Sequence, residues 1–357
     1  MSLQIGIVGL PNVGKSTLFN ALTKQSVLAE NYPFATIDPN VGVVAVPDAR
    51  LDALAKIEKS EKIIPTAIEF VDIAGLVAGA HKGEGLGNKF LSHIRDVDAI
   101  AEVVRFFEDS NILHVDGSVD GKRDIETIKT EMILADLETV KKSLKKLESD
   151  SKSGDKKTLI KLELVKKLDG GLETGQMAQE VGFTEEQKLE LKDLNLLTLK
   201  PFLYIANIEA GEGALLKEKG TFSDLDVVAI DVKLESEMAG FSDAEKKEYL
   251  EGEGIEASGL DRLIKKAYET LGLITFFTAG PKEARAWTVR QGAKAPEAAG
   301  KIHTDFERGF IKAEVINWQK LVEAGSWALA RDQGAIRTEG KEYVFQDGDV
   351  VVFKFNV

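Results

Sequence analysis

Short apolar runs alternate with amphipathic stretches along this chain. "LQIGIVGL" is a β-type run, after which Pro11, Asn12, Val13 and Gly14 turn the chain into a helix, "KSTLFNALTK". "AIEFVDIAGL" is a second apolar strand and carries Asp72. "AIAEVVRFF", from Ala99 to Phe107, is a third, and "KPFLYIAN" and "DVVAIDV" supply two more. Apolar strands separated by helices predict a doubly wound, mostly parallel α/β sheet.

Between the third and fourth strands the period changes. Ile133, Leu137, Val140, Leu144 and Leu147 recur at the a/d spacing of a coiled coil. "SDSKSGDK" interrupts that helix, and Ile160, Leu164 and Leu168 then recur at intervals of four. The pattern predicts an antiparallel coiled-coil hairpin over 126–196, inserted into an α/β domain made of 1–125 and 197–272. Beyond residue 272, "LITFFTAG", "EARAWTV" and "VVVFKFNV" read as strands and "IHTDFERGFIKAEVI" as one helix. Residues 273–357 are thus expected to form a small α+β domain.

The 357 residues suffice for two or three domains, and 43% hydrophobic with 29% charged residues is ordinary globular composition. No cysteine is present, so the fold uses neither disulfides nor thiolate metal sites, which suits a reducing compartment. No apolar run approaches the ~20 residues that span a bilayer. "MSLQIGIVGL" lacks a basic leader, so a cytoplasmic protein is expected, with no membrane partner. The net charge of -13 argues against a general nucleic-acid binder, and DNA is not expected as a partner. Yet residues 141–167 carry ten lysines against four acids. That stretch is either a docking site for a polyanion or a solvated helix surface.

"GLPNVGKST", Gly9 to Thr17, fits G-x-x-x-x-G-K-S/T between a strand and a helix. Gly9 and Gly14 permit the tight backbone that turns N–H groups of residues such as Val13 onto phosphate oxygens, and the helix start adds partial positive charge. Lys15 reaches the β- and γ-phosphates, and the Ser16 hydroxyl can ligate Mg2+. Asp72 and Gly75 form D-x-x-G, in which the carboxylate holds the magnesium and the Gly75 N–H senses the γ-phosphate. Thr36, in "NYPFATIDPNVG", can give Mg2+ a second hydroxyl. A P-loop, Thr36 and D-x-x-G together predict a switch-type nucleoside triphosphatase.

Leu76 follows D-x-x-G, where many GTPases place a Gln that orients water. Intrinsic hydrolysis is therefore expected to be slow, with the water-positioning group supplied elsewhere. Four histidines are candidates, at positions 81, 93, 114 and 303, and position alone does not choose between His81 and His114. In "YIANIEAG" the guanine-reading element Asn-Lys-x-Asp is replaced by Asn207, Ile208, Glu209 and Ala210. Guanine's paired donors lose their bidentate Asp acceptor, while Asn207 can still bond a purine N7 and Ile208 offers an apolar surface. Phe107 can pack on the ring or serve as a core aromatic.

"GLPNVGKST", "YPFATIDPNVG", "DIAGLVAGAHKGEGLGNKFLSHIR", "HTDFERGFI" and "DGDVVVFKFNV" together give the chain a close resemblance to the YchF/Ola-type branch of the Obg-related P-loop proteins, in the TRAFAC class. The resemblance covers essentially the whole length. It implies a split P-loop NTPase (G) domain, the inserted hairpin and a C-terminal TGS domain of β-grasp fold. It also implies a ribosome-associated ATPase acting on the 70S particle or its large 50S subunit, with ATP preferred over GTP. The family's catalytic histidine falls in "NILHVDG", which selects His114, and Leu76 is the hydrophobic substitute for Gln. Asn12 matches the position that helps hold K+ in potassium-activated relatives. The family carries Asn-x-x-Glu at the base, whereas here Glu209 stands one position early. Two alternatives remain: a nucleotide-gated scaffold whose hydrolysis is incidental, and a GTPase with relaxed base selection.

Overall fold

The computed structural model describes residues 3–24, 40–73, 86–108, 118–209, 227–255 and 257–356. Thr36, Gly75, Leu76, His81, His114 and Ala210 lie outside them. The described chain falls into two compact units, one of residues 3–24, 40–42 and 69–263 and one of 43–68 and 264–356. No described helix is long and apolar enough to cross a membrane.

The first unit is organised around β1 (Gln4–Val8), β4 (Ala67–Asp72), β5 (Ala99–Arg105), β6 (Phe202–Asn207) and β7 (Val227–Ile230), with β2 (Val41–Ala45) at the edge of the same sheet. The order is β2-β4-β1-β5-β6-β7, and every pairing from β4 to β7 is parallel. All seven residues of β5 are buried, as expected of a central strand covered on both faces. Helix α1 (Lys15–Lys24) follows β1 and buries Leu18, Phe19, Ala21 and Leu22. The P-loop therefore sits at the carboxyl end of a central strand, where ligands of open α/β sheets bind.

Helix α4 (Gly121–Asp150) is 30 residues long, about 45 Å of helix. It packs against α5 (Lys156–Glu173) through Ile133, Val140, Leu164, Val165, Leu168 and Leu172, with Leu137, Leu144 and Leu147 partly buried alongside. The expected a/d seam is thus present on α4. On α5 the seam is formed by Leu164, Val165, Leu168 and Leu172, and Ile160, which is 50% exposed, is not part of it. The exit of the insertion is fixed by Asp136, which is completely buried. Its carboxylate accepts the Leu197 and Thr198 amides at 2.9 and 2.8 Å and the Thr198 hydroxyl at 2.7 Å.

At the root of α4, Glu102 on β5 is 1% exposed, and its Oε1 has no hydrogen-bond partner among the described residues. Burial, reinforced by Asp124 and Glu126 on α4, raises its pKa well above the usual carboxylate value. The folded state therefore keeps a proton that the unfolded chain releases near pH 4.5, so stability falls as pH rises through the folded pKa. Glu102→Gln keeps the shape without the proton. It is expected to flatten that slope and to stabilise the protein by about 1–3 kcal/mol at pH 8.5. Urea unfolding at pH 6 and 8.5 tests this, and parallel pH profiles for the two proteins would contradict it.

The second unit is a sheet of order β11-β10-β12-β8-β9-β3. Its strands are β3 (Lys62–Ile64), β8 (Leu273–Ala279), β9 (Glu283–Arg290), β10 (Phe310–Asn317), β11 (Arg337–Glu339) and β12 (Asp349–Phe355). β8 and β9 form an antiparallel hairpin, β12 lies parallel to β8, and β10 runs antiparallel to β12. The helix Ala295–Ile302 packs on one face through Ala295, Ala298 and Ala299. A hairpin, a crossing helix and a last strand inserted parallel to the first make the β-grasp arrangement.

This differs from the sequence reading in two places. "IHTDFERGFIKAEVI" is not one helix: Thr304–Arg308 is a single short helix, and Phe310–Asn317 is a strand. The helix stops at Gly309, whose backbone lies against Asn356 and accepts its amide at 2.9 Å, and β-branched Ile311, Val315 and Ile316 favour the ladder beyond. Residues 43–68, which the reading places within 1–125, fold with the C-terminal sheet. β3 pairs parallel with β9, and α2 (Ala49–Glu58) buries Leu51, Leu54 and Ala55 in one cluster with Phe277, Ala284, Ile316 and Val350. Arg50 reinforces the junction, bonding Asp48 at 2.7 Å and Asp347 at 2.5 Å while lying 5.2 Å over the Phe277 ring.

Candidate functional site

The P-loop backbone is set by residues at positive φ: Gly9 (152°), Asn12 (64°) and Gly14 (102°). A Cβ on Gly14 would collide with the Asn207 amide, and one on Gly9 would strike the Val103 carbonyl at 2.5 Å. Both glycines thus serve close backbone approach as well as conformation. Lys15 is 9% exposed, and its ammonium donates to the Leu10 carbonyl at 2.7 Å. Burial lowers its pKa to about 8, and nearby Asp72 pulls it upward. Asp72 closes β4 beside Ile7 of β1, and its carboxyl is shifted upward by burial and downward by Lys15.

A cavity of about 900 Å3 opens on this loop. At its phosphate end stand Asn12, Gly14, Lys15, Ser16 and Thr17, with the Ser16 and Thr17 side chains exposed at the start of α1. Its other end is lined by Phe107, Asn207, Ile208 and Glu209. Val13 does not line it. That side chain is buried, and its carbonyl accepts the Asn207 Nδ2 at 2.9 Å. Asn207 Oδ1 in turn accepts the Val232 amide at 3.3 Å. One buried amide therefore joins the P-loop, the end of β6 and the start of the helix after β7, and it keeps a second Nδ2 hydrogen for a ligand. Phe107 is partly buried and reaches the cavity, so it is not simply a core aromatic.

Of the histidines, His93 is exposed on the helix α3 (Leu86–Asp96), and His303 accepts the Asp305 amide at 3.1 Å as a local helix cap. Neither is placed at the cavity. The sequence reading passed over Asp231, Val232 and Lys233, which line the same cavity as Asn207 where β7 turns into the helix Val232–Met238. Their signal was available, since "AIDV" ends a parallel strand at the same edge of the sheet as the P-loop. It also passed over Arg105, a cation at the end of a wholly buried strand.

An oxygen-preferring cation fits this donor set. The Ser16 hydroxyl is exposed at the phosphate end and the Asp72 carboxylate lies near Lys15, both hard oxygen ligands. Among the described residues no group of three or more His, Cys, Asp or Glu could hold a metal by itself. Such a site would complete its coordination with phosphate oxygens and water, as Mg2+ does.

Residues 4–148 match a family model described as 50S ribosome-binding GTPase. Residues 273–356 match the YchF-GTPase_C model, described as a protein of unknown function (DUF933). The chain is 53% identical over 366 residues to the ribosome-binding ATPase YchF of Bacillus subtilis, and 51% identical over 363 residues to that of Haemophilus influenzae, across 100% of both chains in each case. Its structure matches that of the Schizosaccharomyces pombe YchF GTPase with a TM-score of 0.87 and 38% identity, covering 99% of this chain and 98% of that one. A P-loop GTPase fold, a C-terminal domain of the YchF type and end-to-end identity with these relatives establish that the chain belongs to the YchF family.

Proposed function

We propose that this chain is a Mg2+-dependent ATP-hydrolysing switch protein that docks on the ribosome. The observation that carries the reading is the single cavity in which the P-loop Lys15 and the base-side trio Asn207, Ile208 and Glu209 stand together, with no Asp in the guanine-reading position. Lys15 leaves the Leu10 carbonyl to hold the β- and γ-phosphates. Ser16, Asp72 and Thr36 hold the metal, which when bound neutralises charge on the transferring phosphoryl group. Gly75 senses the γ-phosphate and His114 positions the water that Leu76 cannot. Asn12 supplies an oxygen for K+ near the phosphates. Asn207 bonds the purine N7, and Ile208 and Phe107 flank the ring. In this reading the parts are a split nucleotide-binding domain (within 1–125 and 197–272, without residues 43–68, which fold with the C-terminal sheet), a docking hairpin (126–196) and a TGS domain (273–357), working in the cytoplasm.

A second reading is favoured by Glu209. Its carboxylate lines the base end one position before the family's Glu. A carboxylate there can accept guanine's donors, which predicts GTP hydrolysis alongside ATP hydrolysis. Single-turnover hydrolysis of ATP and GTP by the wild type and His114→Ala tests both readings. ATP is expected to turn over faster, and the substitution to slow it on the order of 10²-fold. An unchanged rate would remove His114 from the mechanism, and faster GTP turnover would overturn the base assignment.

The ribosome as partner rests on the names of the relatives and on the lysine-rich hairpin. Several of its lysines are engaged locally, Lys141 with Glu173 at 2.9 Å and Lys161 with Asp193 at 2.6 Å. Lys145, Lys146, Lys156 and Lys157 are all exposed. Reversing these four to Glu is expected to weaken co-sedimentation with 70S or 50S particles at least tenfold and to reduce its salt dependence. Unchanged sedimentation would make the run a solvated face.

A further inference from the structure

Arg105 closes β5, a strand that otherwise reads Ala, Ile, Ala, Glu, Val and Val. The residue is 2% exposed and is the largest fully buried side chain among the described residues. Its Nε–H donates to the Phe107 carbonyl at 3.1 Å, and its guanidinium carbon stands 4.4 Å from the centre of the Phe107 ring. Arg105 thus grips both the backbone and the ring of the residue two positions on. Phe107 lines the nucleotide cavity, whereas Arg105 does not.

The neighbouring ladder adds to the grip. Arg105 is the register partner of Asn207, and the Phe106 amide donates to the Asn207 carbonyl at 2.9 Å. One rung of the sheet therefore carries both the base-side Asn and the residue that orients Phe107. A guanidinium taken out of water at this depth costs several kcal/mol, so a residue needed only to fill the sheet would be apolar, like Val103. A cation against an aromatic ring is held most strongly when both are desolvated, which favours one ring position.

We propose that Arg105 is a positioning residue for purine binding, holding Phe107 as the aromatic wall of the nucleotide cavity. This rests on the reading of that cavity end as the base site. Arg105 acts on the base through Phe107 and is not among the described residues that line the phosphate end of the cavity. Its loss should therefore raise KM for ATP, leave kcat at saturation unchanged and have no effect once Phe107 is gone.

Calorimetric affinities for ADP and for inorganic tripolyphosphate, which has no base, test this on the full chain. The proteins are the wild type, Arg105→Met, Arg105→Lys, Phe107→Ala and the Arg105→Met/Phe107→Ala double variant. Arg105→Met is expected to weaken ADP roughly 5- to 10-fold and to leave tripolyphosphate unaffected. The double variant should bind ADP no more weakly than Phe107→Ala alone. Arg105→Lys, which keeps a cation but loses the planar fork, should fall between wild type and Met, and it carries the test if the Met variant unfolds. Equal weakening of ADP and tripolyphosphate, or additive losses in the double variant, would overturn the role of Arg105. Unchanged ADP affinity in Phe107→Ala would instead overturn the base-site reading itself.

Discussion

Lys15→Met is expected to lower kcat/KM for ATP roughly 10³-fold or more while leaving the protein folded. The ammonium is the one cation of the P-loop, and the Leu10 carbonyl that now receives it is a neutral acceptor. Triphosphate oxygens offer much stronger charge-assisted bonds, and their charge is redistributed as the terminal bond breaks. Removing one preorganised donor from such a site costs about 3–4 kcal/mol in the transition state, and the lost ground-state attraction adds to it. Methionine fills the same volume without a charge to desolvate. Burial already holds the Lys15 pKa down to about 8, so the substituted protein is expected to melt no lower than the wild type without nucleotide. Steady-state hydrolysis and thermal melting, measured together, check this. Near-normal turnover would show that the loop is not the phosphate site.

Ending the chain at Gly272 is expected to disorder a segment two hundred residues away. A fragment of residues 1–272 keeps the whole P-loop and every strand from β1 to β7. It nonetheless loses the sheet to which β3 is paired and the cluster in which Leu51 and Leu54 are buried. Uncovering two leucines costs about 3–6 kcal/mol, and Arg50 loses both Asp347 and the Phe277 ring. Residues 43–68 lead directly into the strand that ends at Asp72, so nucleotide affinity should fall along with stability. Limited proteolysis is expected to cut the fragment within 43–68, at sites protected in the full chain, and dye binding should report the new apolar surface. Equal protection of 43–68 in both proteins would contradict this. The complementary fragment, 273–357, faces the converse difficulty, since Phe277, Ala284 and Val350 would lose α2.

Much of this was legible in the residues. The strand–loop–helix at the P-loop, Asp72 at a strand end and the a/d seam of α4 each follow from local spacing, because contacts within one or two turns determine them. What was not legible depends on contacts remote in sequence. β3 is three residues long and exposed at Lys62 and Ile63, so nothing in "KII" announces a partner at Glu283–Arg285. Phe310–Asn317 has burial interrupted by a register shift between Phe310 and Lys312, so its strand period is broken where a sequence pattern would be read. At the site, Asn207 is legible as a candidate base contact but not as a tie between the P-loop and the helix start after β7. That role depends on the Val13 carbonyl and the Val232 amide, which only the folded sheet brings together.

The pairing of Lys62 with Glu283 also sets a timetable. During synthesis α2 and β3 emerge early, but the strands that receive them are made more than two hundred residues later. At about 5–20 residues per second that is an interval on the order of 10–40 s. Through it the apolar face of Leu51, Leu54 and Ala55 has none of its C-terminal partners. A segment made early in synthesis is therefore among the last to be finished. A nascent chain stalled before β8 would display this uncovered face, and chaperones that bind exposed apolar helix should select it over the completed protein.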